Sequence, residues 1–340
     1  MNVEHEDVEV NGVRLHIAHR GSGPLVLLLH GFPEGWYSWR HQFDALAAAG
    51  YRVVAPDQRG YGRSDRPEEV SSYTLPHLVG DVVALIAALG EESAVVVGHD
   101  WGAPVAWATA LMRPDLVRGV VGLSVPPAPP AMMPPPSVTR QIYGEGYYQV
   151  YFQERGRADA EMAADPARFL RRILVGASGD APFADGPRVW MIPEGTTAVD
   201  GLPEPESLPA WLTEEDVRVF AREHALHGEH AYTGPLDWYR NIEANQGLMS
   251  PFRGRTIDVP GLYAVGTMDL VLAMRGVAEL RAALTSIVPD LRGDITLQGC
   301  GHWTQQERPA EVNAALLDFL AGLDRAPAPR TGHGARPQEA

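Results

Sequence analysis

The sequence predicts an α/β protein: a mostly parallel, doubly wound sheet interrupted by an inserted, mainly helical segment. Three observations carry that prediction. Apolar runs without polar alternation (Leu25, Val26, Leu27, Leu28 and Leu29; Val95, Val96 and Val97) suit strands buried on both faces. Turn residues and then a helix-period pattern follow each run, as strand–loop–helix repeats require. The repeat stops at seven prolines within the thirteen residues 125–137 and resumes only near Val259.

In chain order, Val8 to Val10 and Val13 to Ala18 alternate around Asn11-Gly12, the pattern of a β-hairpin. Strand 25–29 leads into His30-Gly31-Phe32-Pro33-Glu34, and a helix is expected over 39–49, stopped by Gly50. A strand over 51–56, a glycine-rich loop over 57–65 and a helix over 75–89 precede the strand that ends at Gly98. A helix over 103–111 and a strand at 117–123 follow. The proline run is a stiff connector that cannot be a helix or a central strand. Beyond it, to about Ser250, come aromatic-rich helices around a Gly/Pro-rich interval (176–209), with Thr213-x-x-Asp216 as a capping box. Sheet patterning returns at 259–265 and 294–297, with helices over 276–283 and 309–323. The expected division is a core from 1–127 and 252–325, a helical cap from 128–251, and a disordered tail from 326–340.

Composition limits the function. A net charge of −15 argues against nucleic acid or an anionic membrane as partner. No lysine occurs, so all 28 basic side chains are arginine, which we read as coding bias. The single cysteine, Cys300, excludes an intramolecular disulfide and a multi-cysteine zinc site. No secretory signal pattern and no uninterrupted apolar stretch of membrane-spanning length occurs, so a soluble, cytoplasmic protein is expected. His224, His227 and His230 have helical spacing but no acidic or cysteine partners, so we read them as an exposed helix face and expect no metal. The loop Gly60-Tyr61-Gly62-Arg63-Ser64 fits neither a P-loop nor a dinucleotide fingerprint.

The stretch Val97-Gly98-His99-Asp100-Trp101-Gly102 has the outline of a nucleophile elbow: strand, strained turn, helix. Asp100 stands where serine hydrolases carry Ser. Asp before a helix is also an ordinary N-cap. Two further residues favour catalysis: Asp269, after a later strand, and His302, in a glycine-flanked loop. Nucleophile, acid, histidine is the chain order of the α/β-hydrolase triad. An ionised Asp100 can attack carbon unaided, His302 can take a proton from water, and Asp269 can fix the imidazole tautomer.

With these motifs and with Trp36-Tyr37-Ser38-Trp39-Arg40 and Gly301-His302-Trp303-Thr304-Gln305, the chain resembles the epoxide hydrolases of the α/β-hydrolase fold, soluble type, over essentially residues 8–323. The resemblance implies an oxyanion hole from the backbone N–H groups of Phe32 and Trp101. The turn at His30-Gly31-Phe32-Pro33 also has a purely structural reading, with a cis Phe32–Pro33 bond. It further implies two cap tyrosines that donate to the epoxide oxygen: Tyr151 in Tyr151-Phe152-Gln153 and Tyr239 in Trp238-Tyr239-Arg240. His30, Pro33, Trp36 and Trp303 are expected to line the substrate pocket. Tyr143, Tyr147 and Tyr148 are expected to be packing residues.

The activity so implied converts a small apolar epoxide and water to a vicinal diol through an ester on Asp100, without cofactor or metal. The rivals are a haloalkane or haloacid dehalogenase, which shares the Asp elbow, and a non-catalytic ligand receptor. The tyrosine pair favours the epoxide. Trp101 stands where the haloacid enzymes resemble one another in carrying Arg, and Asp100 makes a Ser-type esterase a poor fit. Whether the cap serves a homodimer, and which epoxide is bound, the sequence leaves open.

Overall fold

The computed structural model describes residues 2–129, 134–181 and 186–324. The expected tail at 326–340 and parts of the proline run and of the Gly/Pro-rich interval lie outside them.

Eight strands form one sheet in the order β1-β2-β4-β3-β5-β6-β7-β8. These are β1 (Glu4–Val10), β2 (Val13–Arg20), β3 (Leu25–Leu29), β4 (Arg52–Pro56), β5 (Ala94–His99), β6 (Val117–Leu123), β7 (Gly261–Gly266) and β8 (Leu291–Leu297). β1–β2 and β2–β4 pair antiparallel; every other neighbouring pair is parallel. The hairpin turns at Asn11 and Gly12, whose φ angles of 46° and 77° are those of a tight two-residue turn. β1 carries mostly exposed acidic residues, which discourages edge-to-edge pairing.

The apolar runs behave as a sheet covered on both sides demands. Leu25, Leu27, Leu29, Val96 and Val120 enter one apolar cluster, whereas Val26, Leu28, Val95, Val97 and Val121 enter the other. Successive residues point to opposite faces. Helices α1 (Phe43–Ala48) and α11 (Pro309–Asp324) cover the second face through Phe43, Leu46, Val312, Leu316 and Leu320. Helices α2 (Leu75–Ala88) and α3 (Gly102–Met112) cover the first, through residues such as Leu78, Val82 and Val105.

Element boundaries differ from expectation at several places. The first strand begins at Glu4 rather than at the expected Val8. The first helix is split: residues 36–39 form a 3₁₀ turn and α1 begins only at Phe43. The last strand begins at Leu291, three residues before the expected 294. The proline run is helical at its end, because α4 (Pro136–Tyr143) takes Pro136 in its first turn, where a missing N–H costs nothing.

Between β6 and β7 the chain leaves the sheet for α4, α5 (Tyr148–Tyr151), α6 (Arg157–Ala163), α7 (Pro166–Gly176), α8 (Glu214–Ala225), α9 (Thr233–Arg240) and α10 (Ile242–Leu248). The capping box forms: Thr213 Oγ1 accepts from the Asp216 N–H, and the Asp216 carboxylate accepts from the Thr213 N–H. Polar contacts fasten this segment to loops of the sheet. Asp216 accepts from the Tyr37 hydroxyl at 2.9 Å and pairs with Arg40 at 3.0 Å; Trp238 Nε1 donates to the Arg59 carbonyl. His224 corrects the exposed-face expectation: it is buried, and its Nε2 donates to the Pro33 carbonyl at 2.8 Å. His227 is half-buried on the Gly62 carbonyl, and only His230 is exposed.

A buried ion cluster joins α6 to α9. Arg240 reaches Asp159 at 2.6 Å and Asp237 at 2.8 Å, and its Nε donates to the Phe152 carbonyl. Removing the guanidinium leaves two carboxylates in a dry site, which costs far more than losing an exposed pair. Arg240→Ala should therefore destabilise the protein by about 3–5 kcal/mol, read from urea unfolding; a loss below about 1 kcal/mol, the worth of a surface pair, would show that the cluster is solvated.

Candidate active site

The site is built at the end of β5. Asp100 follows His99 with φ 48°, a left-handed conformation that few non-glycine residues adopt, and α3 starts two residues later. The turn closes because its flanks lack side chains. A Cβ on Gly98 would lie 2.0 Å from the Gly102 carbonyl oxygen, and one on Gly102 would lie 2.1 Å from the Leu29 carbonyl oxygen. Gly31 faces Asp100 in the same way: a Cβ there would sit 2.2 Å from Asp100 Oδ1. The loop after β3 can thus bring the Phe32 N–H against the carboxylate, donating to Oδ1 at 2.7 Å.

The two residues expected beside Asp100 meet it. His302 Nε2 lies 3.3 Å from Asp100 Oδ2, and His302 Nδ1 lies 3.0 Å from Asp269 Oδ1. Asp269 is fully buried after β7, and the same Oδ1 accepts from the Val271 N–H. With Nδ1–H directed at a carboxylate, Nε2 is left facing Asp100. Burial alone would depress the His302 pKa, but Asp269 and Asp100 outweigh it and hold the value well above the ordinary imidazole. Asp100 shows the reciprocal effect: burial pushes it up, yet the His302 bond and charge leave it below the usual carboxylate range. Both shifts favour a carboxylate–imidazolium pair.

A cavity of about 430 Å³ opens at Asp100 beneath the inserted helices, lined by Trp101, Tyr148, Tyr239 and Leu270 among others. Tyr239 is buried and packs edge-on against Trp101 and Phe32. Tyr151 is not in this cavity. Its hydroxyl donates to Glu161 at 2.7 Å and its ring lies under the Arg157 guanidinium. Tyr148, expected as a packing residue, faces Asp100 and Tyr239 instead. Although three residues apart on one helical turn, the two side chains part company: Tyr148 turns to the cavity and Tyr151 to Glu161 of α6. A signal was present: Tyr148 shares its face with Phe152, four residues on and fully buried, while Tyr151 is followed by Arg157 and Glu161. Burial raises the pKa of Tyr148 and Tyr239, so both stay protonated at neutral pH.

Of the expected pocket residues, Trp303 lines a small recess beside His302, with its Nε1 donating to the Leu174 carbonyl. The other three face elsewhere. His30 is fully buried with both ring nitrogens engaged: Nδ1–H toward the Gly31 carbonyl, Nε2 accepting from the Gln58 N–H. Pro33 follows a cis peptide bond and gives its carbonyl to His224. Trp36 packs against His5, Tyr37 and Phe43 on the far side of the loop.

Several residues that hold the site were not singled out in the sequence. The Glu307 carboxylate accepts from the N–H groups of Gly179, Gly301 and Trp303, clamping the His302 loop to the segment after α7. Glu34 accepts from the Gly31 N–H, from the Gln305 and Gln306 side chains and from His99 Nδ1, and His99 Nε2 in turn donates to the His302 carbonyl. Ser124 Oγ lies 3.0 Å from His302 Nδ1. The contacts of Glu307 with Gly179, of Glu34 with His99, Gln305 and Gln306, and of Ser124 with His302 join residues far apart in the chain.

Residues 24–174 match the family model described as alpha/beta hydrolase fold. The chain is 45% identical over 320 residues to Epoxide hydrolase A of Mycobacterium tuberculosis, spanning 93% of this chain and 97% of that one. The chain belongs to the epoxide hydrolase family. As a member it is a hydrolase acting on ether bonds. Among solved epoxide hydrolases, Epoxide Hydrolase A of Mycobacterium thermoresistibile superposes with a TM-score of 0.86 at 45% identity, covering 94% of this chain and 99% of that one. The epoxide hydrolase of an endophytic Streptomyces superposes with 0.90 at 42%, covering 95% and 97%. Among the described residues no helix is long and apolar enough to cross a membrane.

The Asp100–His302 pair makes stability depend on pH in a defined sense. The share from His302, whose native pKa is raised, is fully present below about 6.5 and is lost as pH rises through the native value. The share from Asp100, whose native pKa is lowered, is present above the ordinary carboxylate value and is lost as pH falls through the native one. Asp100→Asn removes part of what raises His302. Thermal melts between about pH 7 and 9.5 should therefore show a larger fall in Tm for the wild type than for Asp100→Asn; equal slopes would mean that the pair is not charged in the native state.

Proposed function

We propose that this epoxide hydrolase works in two covalent steps. Asp100 Oδ2 attacks an oxirane carbon, forming the carbon–oxygen ester bond as the ring carbon–oxygen bond breaks, and the released alkoxide takes a proton from Tyr148 or Tyr239. His302 then passes its proton to the tyrosinate, and water adds to the ester carbonyl while His302, oriented by Asp269, takes the water's proton. The acyl–oxygen bond breaks, the leaving diol oxygen takes the proton of the new carboxylic acid, and the Asp100 carboxylate, the His302 imidazolium and the phenol are all restored. The observation that carries this reading is the position of two phenols across one cavity from the Asp100 carboxylate, which His302 and the Phe32 N–H hold in place. An alkoxide formed between them is stabilised as it develops.

The electrostatics support the order of the steps. While Asp100 is charged, His302 is held protonated and cannot act as a base. Alkylation removes that charge and lets the His302 pKa fall, so the base appears only once there is an ester to hydrolyse. The Phe32 N–H already holds Oδ1, the atom that becomes the carbonyl oxygen. It can follow that oxygen into the tetrahedral intermediate, with the Trp101 N–H as the second donor. In this reading residues 128–251 are a cap over a core formed by 1–127 and 252–325, the substrate is a small apolar epoxide, and no cofactor takes part.

Single-turnover hydrolysis of styrene oxide in ¹⁸O-water should leave label in the Asp100 peptide and give unlabelled first-turnover diol. His302→Gln should accumulate an adduct heavier by the mass of one epoxide. Direct labelling of the diol in the first turnover would rule out the ester.

The tyrosines should separate clearly. Tyr148→Phe and Tyr239→Phe should each slow Asp100 alkylation by about 10²-fold or more, measured by stopped-flow tryptophan fluorescence. Tyr151→Phe should stay within about threefold of wild type, since its hydroxyl is held by Glu161. The reverse order would return the role to Tyr151.

A further inference from the structure

Asp100 stands where two unequal spaces meet. Both are bounded by Asp100, Tyr148, Tyr239 and Leu270. On one side is the cavity of about 430 Å³, walled mainly by apolar residues such as Val125, Pro129, Ile142 and Leu280. On the other, beside His302, is a recess of about 20 Å³ lined by Phe32, Ile173, Ala177, Trp190 and Trp303. A water occupies roughly 10–15 Å³ by the same measure, so the recess holds a methyl group and little more.

The recess is also hard to enlarge, because its walls are the supports of the base. Trp303 is bonded through Nε1 to the Leu174 carbonyl of α7. The Ala177 carbonyl accepts from the His302 N–H, and Glu307 ties Gly179 to Gly301 and Trp303. Trp190 is stacked on Tyr148 and on Phe169. Any shift that widens the recess moves His302 or Tyr148. Dense interiors do not yield by small continuous adjustments.

Resting on the two-step reading above, we propose that this enzyme takes epoxides in which one ring carbon carries an extended apolar group and the other carries only hydrogen or methyl. The large substituent occupies the cavity under α4, the ring lies between Asp100 and the two phenols, and the small carbon faces the recess. Epoxides with a sizeable group on each carbon are excluded from the productive pose, whatever their hydrophobicity.

Three isomers of one formula test this: 1,2-epoxyoctane, trans-2,3-epoxyoctane and trans-4,5-epoxyoctane. The last two both carry one alkyl group on each carbon and so match in intrinsic reactivity; they differ in whether methyl or propyl must enter the recess. The 2,3 isomer should exceed the 4,5 isomer in kcat/KM by about 100-fold or more, since each misplaced methylene costs about tenfold or more. Ile173→Ala, which shortens a wall of the recess, should reduce that ratio about tenfold; the ratio is insensitive to a general loss of active enzyme. Should Ile173→Ala not fold, the wild-type series decides by itself. A 4,5 isomer hydrolysed within about threefold of the 2,3 isomer overturns the proposal and leaves the epoxide hydrolase reading intact. No diol from any isomer, with no adduct on Asp100, overturns that reading and the proposal with it.

Discussion

The hydrogen bond from the Phe32 N–H to Asp100, 2.7 Å long, is possible only because two loops approach without side chains between them. Gly31 on one and the Gly98/Gly102 pair on the other have no space for a Cβ. That approach decides where the carboxylate points and fixes one oxygen of it. The other is left to the cavity and to His302. Asp100 adopts φ 48° to reach this position, an unfavourable conformation that the parallel strands on either side impose. A change of side chain at any of the three glycines would have to be accommodated by moving the nucleophile.

Behind this front the charge of the site is held by buried polar groups rather than by solvent. His302 is sandwiched between two carboxylates, Asp269, which is fully buried, and Asp100, which is consumed and regenerated in the proposed cycle. The loop that carries His302 has no regular structure of its own, so its geometry depends on Glu307 accepting three backbone N–H bonds and on the Glu34–His99 chain reaching its carbonyl. Burying acids without a basic partner is costly, and here multiple hydrogen bonds offset the cost. The arrangement gives the histidine one orientation on both sides of the chemical step.

The inserted helices supply what the sheet cannot: a roof with donors in it. Their attachment is a mixture of ring packing around Phe32, Trp101 and Tyr239 and polar contacts at Arg40–Asp216 and His224–Pro33. The same aromatic packing that positions Tyr148 and Tyr239 over Asp100 narrows the space beside His302 through Trp190 and Trp303. Positioning and size selection are therefore two consequences of one set of contacts.

By itself the sequence determined the architecture and picked out Asp100, Asp269 and His302, which the fold brings together. Alternation of apolar runs with helical periods dictates a sheet covered on both faces, and an elbow with Asp at its apex, followed by an acid and a histidine at strand ends, is legible because each feature is local. What only the tertiary structure decided is the identity of groups that act across the chain. Tyr148 and Tyr151 lie three residues apart on a one-turn helix, and it is the docking of the inserted segment that separates them: one faces Asp100 and the other is claimed by Glu161. Trp36 and His30 belong to motifs beside the site but are turned into the core, where Phe43 and Gln58 meet them. Glu307 acts through backbone N–H groups, and Glu34 and His99 through each other and through groups of the distant His302 loop, partners that the sequence pattern does not name. Pattern records which face of an element is apolar; it does not record which distant group that face will meet.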